Sequence, residues 1–148
     1  MTNKLEFWPH HSGVCVPNLD AAIAWYHDVL GFEFQYKNTI PHAKATFAIV
    51  KNGDLRMEIF EVEGAKPLPE ERRIPDQDLQ THGNKHVCFA VDDVPAFAEE
   101  LKKRNADIVW VKIFGNGKAN IFIRDLAGNL IEFVQAPRPD GVISQLPT

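Results

Sequence analysis

The sequence predicts an α+β fold built from two copies of one unit, each a strand, a helix and three further strands. Three observations predict it. His11 and Glu58 stand 47 residues apart and His86 and Glu132 stand 46 apart, so each half of the chain carries one imidazole and one carboxylate at nearly the same internal position. An offset of 75 carries His11 onto His86, Val14 onto Phe89, Val16 onto Val91 and Leu19 onto Val94, and a one-residue deletion later brings Glu132 opposite Glu58. Alternating apolar runs flank one helix-periodic stretch in each half, in the same order.

In the first unit Ser12 to Val16 alternates and Pro17-Asn18 breaks it. Asn18 or Asp20 caps a helix running to about Leu30, with Leu19, Ile23, Tyr26 and Leu30 on one stripe and Gly31 as its stop. Gly31 to Tyr36 is extended. Ala45 to Val50 and Leu55 to Val62 flank Lys51-Asn52-Gly53-Asp54, and Asn-Gly between two apolar runs signals a hairpin. Residues 63–85 are polar, hold Pro67, Pro69 and Pro75, and read as a linker or lid. In the second unit Val87 to Val91 is a strand and Asp93 caps a helix. Its stripe is Val94, Phe97, Ala98 and Leu101, and it ends near Asn105. Strands over Ile108 to Ile113, Ala119 to Arg124 and Leu130 to Gln135 complete the unit, punctuated by Gly115-Asn116-Gly117 and Ala127-Gly128-Asn129. The organisation expected is one domain over 1–148: a first module at about 8–62, the linker, a second module at about 86–136 and a tail at 137–148.

Composition excludes several functions. The chain has 148 residues, 45% hydrophobic and 24% charged, with a formal net charge of −4 and no long basic run, so nucleic acid is not an expected partner. No apolar stretch approaches the roughly 18 to 20 residues that cross a bilayer, and the N-terminal residues lack the apolar core of a signal peptide. With only Cys15 and Cys88, a cytoplasmic location with reduced thiols is expected.

Side chains alternate faces along a strand, so each strand splits into two sets. His11, Gly13 and Cys15 oppose Ser12, Val14 and Val16; Arg56, Glu58 and Phe60 oppose Met57, Ile59 and Glu61. His86, Cys88 and Ala90 oppose Val87, Phe89 and Val91; Glu132 and Val134 oppose Ile131 and Phe133. The bulky set packs on the helix each time, leaving the His or Glu on the other face. A single strand His is ordinarily a hydrogen-bonded structural residue, and a single strand Glu usually sits on a solvated face. Four at repeat-equivalent places point instead to a shared cation, because a half-buried carboxylate is costly unless paired or metal-bound. Two imidazoles and two carboxylates form a mixed nitrogen and oxygen set suited to Zn, Ni, Co, Mn or Fe(II). Arg56 shares the face of Glu58 and is a candidate for a substrate carboxylate or phosphate. Asn120 and Phe122 alternate onto a face with Lys118 and Arg124 and are candidate pocket residues with Phe60. Arg72 and Arg73 read as a solvated loop, His27, His42 and His82 as peripheral, and Trp8 and Trp110 have no assigned place.

The segments HSGVCVPNLD at 11–20, WYHDVLGF at 25–32, RMEIFE at 56–61, KHVCFAVDD at 85–93 and RDLAGNLIEF at 124–133 resemble the vicinal oxygen chelate superfamily, the glyoxalase/bleomycin-resistance/extradiol-dioxygenase group. The resemblance covers about His11 to Gln135. It implies two βαβββ modules forming a cupped mixed sheet around one divalent ion. The ligands carried over are His11, Glu58, His86 and Glu132, with His10 as a neighbouring competitor for His11. It also implies a homodimer acting on a small molecule, with the site within one chain or shared between two. The family's branches predict different chemistry. A lyase or isomerase of glyoxalase or epimerase type would hold neighbouring substrate oxygens on the metal, stabilise an enediolate and use Glu58 or Glu132 as base, the other remaining a ligand. Extradiol dioxygenases use two His and one carboxylate on Fe(II), and the resistance branch binds ligands without metal. Glu58 is a carboxylate as in glyoxalase I, where methylmalonyl-CoA epimerase has an amide. Cys15 and Val62 replace an Arg and an Asn that hold glutathione in the bacterial glyoxalase, so glutathione is not expected.

Overall fold

The computed structural model describes residues 4–139; the final part of the expected C-terminal tail lies outside them. The first unit comprises β1 (Ser12–Cys15), α1 (Leu19–Leu30), β2 (Glu33–Ile40), β3 (Ala45–Asn52) and β4 (Leu55–Val62). After a 3-10 turn at Glu70–Arg73 and the short α2 (Pro75–Asp78), the second unit repeats the order. It consists of β5 (Val87–Val91), α3 (Val94–Lys103), β6 (Asp107–Gly115), β7 (Lys118–Arg124) and β8 (Leu130–Gln135). Each unit forms a four-stranded mixed sheet, ordered β1-β4-β3-β2 and β5-β8-β7-β6, with the first strand parallel to the last. This is the expected α+β pair of βαβββ modules, hydrogen-bonded among the described residues as two sheets and not as one continuous sheet.

Local chemistry explains the helix ends. The Asn18 side chain accepts a hydrogen bond from the Ala21 amide and Asp93 does the same for Ala96, each satisfying a first-turn donor. Gly31 closes α1 in the left-handed conformation, φ 72°. The amide of Asn52 donates to the Leu30 carbonyl at 3.0 Å, sealing that helix end from the neighbouring hairpin. Asn52 therefore stays in β3, and the expected Asn-Gly turn slides by one residue to Gly53-Asp54 between the paired Asn52 and Leu55. The second hairpin does turn on Asn116-Gly117, both at positive φ as a type I′ turn demands.

The α1 stripe is rotated from the expected one: Leu19, Ala22, Tyr26 and Val29 are buried, while Ile23 and Leu30 are half-buried at its margin. Small Ala22 lets the helix sit close to the sheet. Both units share one core, in which Val16, Tyr26, Met57 and Ile59 of the first join Val94, Leu101, Ile121 and Ile131 of the second. Tyr26 crosses between them, its hydroxyl donating to Asp125 at 3.0 Å. Asp125 also accepts from the amides of Ala127 and Asn129 and from the Asn129 side chain, so its buried charge is fully bonded. Burial, then the Asp125 charge, pushes the Tyr26 phenol well above its usual value of 10.

Segment 63–85 is more tied down than a lid would be. Asp78 is 2% exposed and takes Arg72 at 2.9 Å and Lys85 at 3.4 Å. Arg72 also donates to the Asn84 carbonyl and Lys85 to the carbonyls of Asp78 and Thr81. Arg72 and Arg73 thus serve the segment itself: Arg73 donates to the Leu68 carbonyl, and its own carbonyl accepts from Arg124.

Candidate metal centre

The parallel pairing of first and last strand creates each half of the site. Glu58 lies beside Gly13 in the β1–β4 register, which brings His11, two residues earlier, within 3.0 Å of it, Nε2 to Oε2. In β5–β8, Cys88 lies beside Glu132, and His86 Nε2 stands 2.8 Å from Glu132 Oε2. Both pairs occupy the face away from the helices, as alternation requires: Met57, Ile59, Ile131 and Phe133 are buried, whereas Glu58 and Glu132 are half-buried. His11, not His10, faces the carboxylate, and His10 stands behind it with Nδ1 atoms 2.7 Å apart.

The second pair has a supporting shell. Asn120 donates to Glu132 Oε1 at 3.1 Å and accepts from the Trp110 indole at 3.1 Å. Both ends of the Asn120 amide are therefore engaged in holding the carboxylate. Phe122 meets His86 edge to face at 4.8 Å between ring centres, and Trp110 meets Phe122 at 5.1 Å. Trp110 is one of the two tryptophans, with Trp8, to which the sequence assigns no place. Its position depends on a register shift between Ile108 and Trp110, which sets the indole opposite Phe122. Cys88 adjoins the same group; partial desolvation, then the Glu132 charge, pushes its thiol up to about 11, so it stays protonated at neutral pH.

Around the first pair, Phe60 packs against Phe47, 6.0 Å between ring centres, and Arg56 donates to the Asp54 carbonyl at 3.4 Å. The Arg56 charge has no acidic partner among the described residues. His27, expected to be peripheral, pairs with Asp28 and Glu33 on the surface.

Within each pair the donors fit a borderline divalent ion: one imidazole nitrogen and one carboxylate oxygen lie at contact distance, and the second carboxylate is oriented by an outer amide. The chain brings His11 to Glu58 and His86 to Glu132. It does not gather all four, for no group of three or more metal-type donors forms among the described residues. A cleft of about 880 Å³ lies elsewhere, lined by Cys15, Lys44, Val62, Lys66, Arg73 and Asn129 among others, and includes none of the four.

The family model described as "Glyoxalase/Bleomycin resistance protein/Dioxygenase superfamily" matches residues 8–133. This chain belongs to that superfamily. Among the superfamily chain's relatives, methylmalonyl-CoA epimerase of Mus musculus is 32% identical over 133 residues, covering 86% of this chain and 72% of the mouse protein. Ethylmalonyl-CoA/methylmalonyl-CoA epimerase of Cereibacter sphaeroides is 28% identical, covering 85% of this chain and 96% of its own length. The glyoxalase family protein of Enterococcus faecalis shares the fold with a TM-score of 0.71 at 22% identity, covering 86% of this chain and 96% of that one. The expected superfamily and two-module fold are thus borne out, and a glyoxalase-like enzyme of isomerase or epimerase type agrees with the epimerase relatives. No helix among the described residues is long and apolar enough to cross a membrane.

Proposed function

We propose that this protein is a divalent-metal-dependent epimerase-type isomerase that moves a proton at the carbon next to a carbonyl of a small acyl substrate. The observation that carries the reading is the pair of repeat-equivalent His–Glu contacts, 3.0 and 2.8 Å, on the helix-free faces of both sheets. The epimerase relatives, whose names specify methylmalonyl-CoA and ethylmalonyl-CoA, support an acyl thioester as the substrate class. His11, Glu58, His86 and Glu132 would hold one ion, Ni, Co, Zn, Mn or Fe. When bound, it supplies Lewis-acid polarisation of a substrate carbonyl.

The chain's own residues do the rest. One carboxylate, Glu58 or Glu132, takes the proton while the other stays a ligand, and inversion then requires a proton delivered to the opposite face of the flattened carbon, as by water. Glu58 is the freer of the two, since Asn120 ties down Glu132. Phe60, Phe122 and Trp110 supply apolar surface that limits water around the acidic carbon, and Arg56 offers a cation for a substrate carboxylate. Homodimeric assembly and a cytoplasmic setting, in which the exposed thiols of Cys15 and Cys88 stay reduced, complete the reading.

The test is proton exchange. Purified protein with one added divalent ion is incubated in D2O with a 2-methyl-branched malonyl thioester, and deuterium at the branched carbon is followed by NMR. Exchange is expected with the wild type and should fall at least about a hundredfold in Glu58→Gln or Glu132→Gln. Full exchange by both variants, or none by the wild type with any ion, would refute the reading.

A further inference from the structure

We infer that Lys112 recognises the anionic part of the substrate, its ammonium carried on the face of Trp110 beside the second His–Glu pair. The inference rests on the acyl-substrate reading above and adds to it a specificity-determining residue, on a strand that supplies none of the four donors.

A bulge sets the placement. Ile108 pairs with Ile123 and Trp110 with Phe122, so β6 carries one extra residue there. In an unbroken ladder Val109 would oppose Phe122, and both Trp110 and Lys112 would turn toward the core. The extra residue brings them to the helix-free face instead, Trp110 opposite Phe122 and Lys112 opposite Asn120. β8 continues each rung, Phe122 opposing Glu132 and Asn120 opposing Val134. Trp110 therefore shares a rung with the Glu132 carboxylate, two strand spacings or about 10 Å away along the backbone. Lys112 stands two residues further on, yet its Nζ lies back over the Trp110 ring, 3.6 Å from the centroid. Attraction to the indole face holds the charge toward the Glu132 rung.

The first unit has the same bulge without the charge. Phe34 pairs with Val50 and Tyr36 with Ile49, which in turn opposes Glu58, so Tyr36 is the counterpart of Trp110. Two residues on, Asn38 pairs with Phe47 in the place of Lys112, and its side-chain oxygen accepts from the Thr39 amide. The backbone device thus belongs to the repeated unit, while the cation belongs to the second copy. A charge at one of two otherwise matched positions marks the side of the site that meets the anionic end of a ligand. Lys112 is available for it, being exposed and without an acidic partner among the described residues. Its ammonium is a point charge with three donors, and those turned away from the indole can take carboxylate or phosphate oxygens. The ligand class is an acyl thioester bearing such oxygens, on the acyl group or on its carrier.

The experiment titrates metal-loaded full-length protein with malonyl-CoA by calorimetry. It also follows deuterium exchange into the 2-methyl-branched malonyl thioester on two carriers, coenzyme A and phosphate-free N-acetylcysteamine. Lys112→Met keeps the aliphatic stem over Trp110 and removes the charge. It should bind malonyl-CoA about tenfold more weakly, as expected for loss of a hydrogen bond to a charged group. KM should rise by the same factor with kcat held within about twofold, the mark of binding lost equally from ground and transition states. Circular dichroism and metal content should stay at wild-type values, and Lys112→Arg should retain affinity. A rise in KM on both carriers assigns the ammonium to the acyl carboxylate, and a rise on coenzyme A alone assigns it to the carrier phosphates. Unchanged binding and KM in Lys112→Met, or a fall in kcat with KM unchanged, would overturn the inference, as would a wild type that does not bind malonyl-CoA. A wild type that binds it through Lys112 yet exchanges no deuterium would sink the epimerase reading and leave this inference standing.

Discussion

Replacing Asn120 by Ala should weaken metal binding without unfolding the protein. Glu132 presents one oxygen to His86 at 2.8 Å and the other to the Asn120 amide at 3.1 Å, so the amide decides which way the carboxylate plane faces. Outer-shell partners of this kind are worth about 10- to 100-fold in metal affinity, or about 1.4 to 2.7 kcal/mol. That agrees with the roughly 1.5 to 3 kcal/mol of a hydrogen bond to a charged group. Glu132 is 16% exposed at its side chain, so water can replace part of the lost donor, and the lower half of the range is expected. Trp110→Phe keeps the aromatic contact with Phe122 but removes the indole N–H that orients the Asn120 amide, and a smaller loss, about fivefold, should follow. The assay is Co or Zn titration against a chromophoric chelator, with circular dichroism as the control for folding. Because the three groups form one chain of hydrogen bonds, the double variant should lose less than the sum of the single losses. An Asn120→Ala protein within twofold of wild type, or strict additivity, would refute the reasoning.

Three further outcomes are expected. Burial raises the Tyr26 phenol, so its contribution to stability is complete below pH 10 and declines as pH climbs from there toward the folded-state value; Tyr26→Phe should remove that alkaline slope in urea titrations while costing about 2 kcal/mol at pH 7. Asp78→Ala leaves Arg72 and Lys85 without their buried partner and should cost about 3 to 5 kcal/mol, read as a drop of about 10 °C in Tm. Gly31→Ala forces a Cβ into a left-handed position 3.4 Å from the Asn52 amide and should cost about 1 to 2 kcal/mol by thermal melting.

Short-range chemistry made much of this protein legible. The side-chain caps at Asn18 and Asp93, the left-handed stop at Gly31 and the spans of β4, β5 and β8 follow from residues within a few positions of each other. Strict alternation likewise puts His11, Glu58, His86 and Glu132 on the helix-free faces, because a slip of one residue would bury the charges and expose the core. The buried α1 stripe differs from the expected one because Ala22 is small and carries little apolar signal, yet its size is what permits close helix–sheet contact.

Tertiary structure decided what no local pattern encodes. Tyr26 and Asp125 are 99 residues apart, and their bond exists only because the two units share one core. Asp78 reads as one more polar residue in a proline-containing linker, and only the folded path of 63–85 buries it between Arg72 and Lys85. Trp110 reaches Asn120 through a strand irregularity that resets the alternation on which face assignment depends. The sequence by itself determined which faces His11, Glu58, His86 and Glu132 occupy, since alternation is a property of each strand alone. Their grouping into two separated pairs was decided by how whole sheets stack, a balance of core contacts distant along the chain.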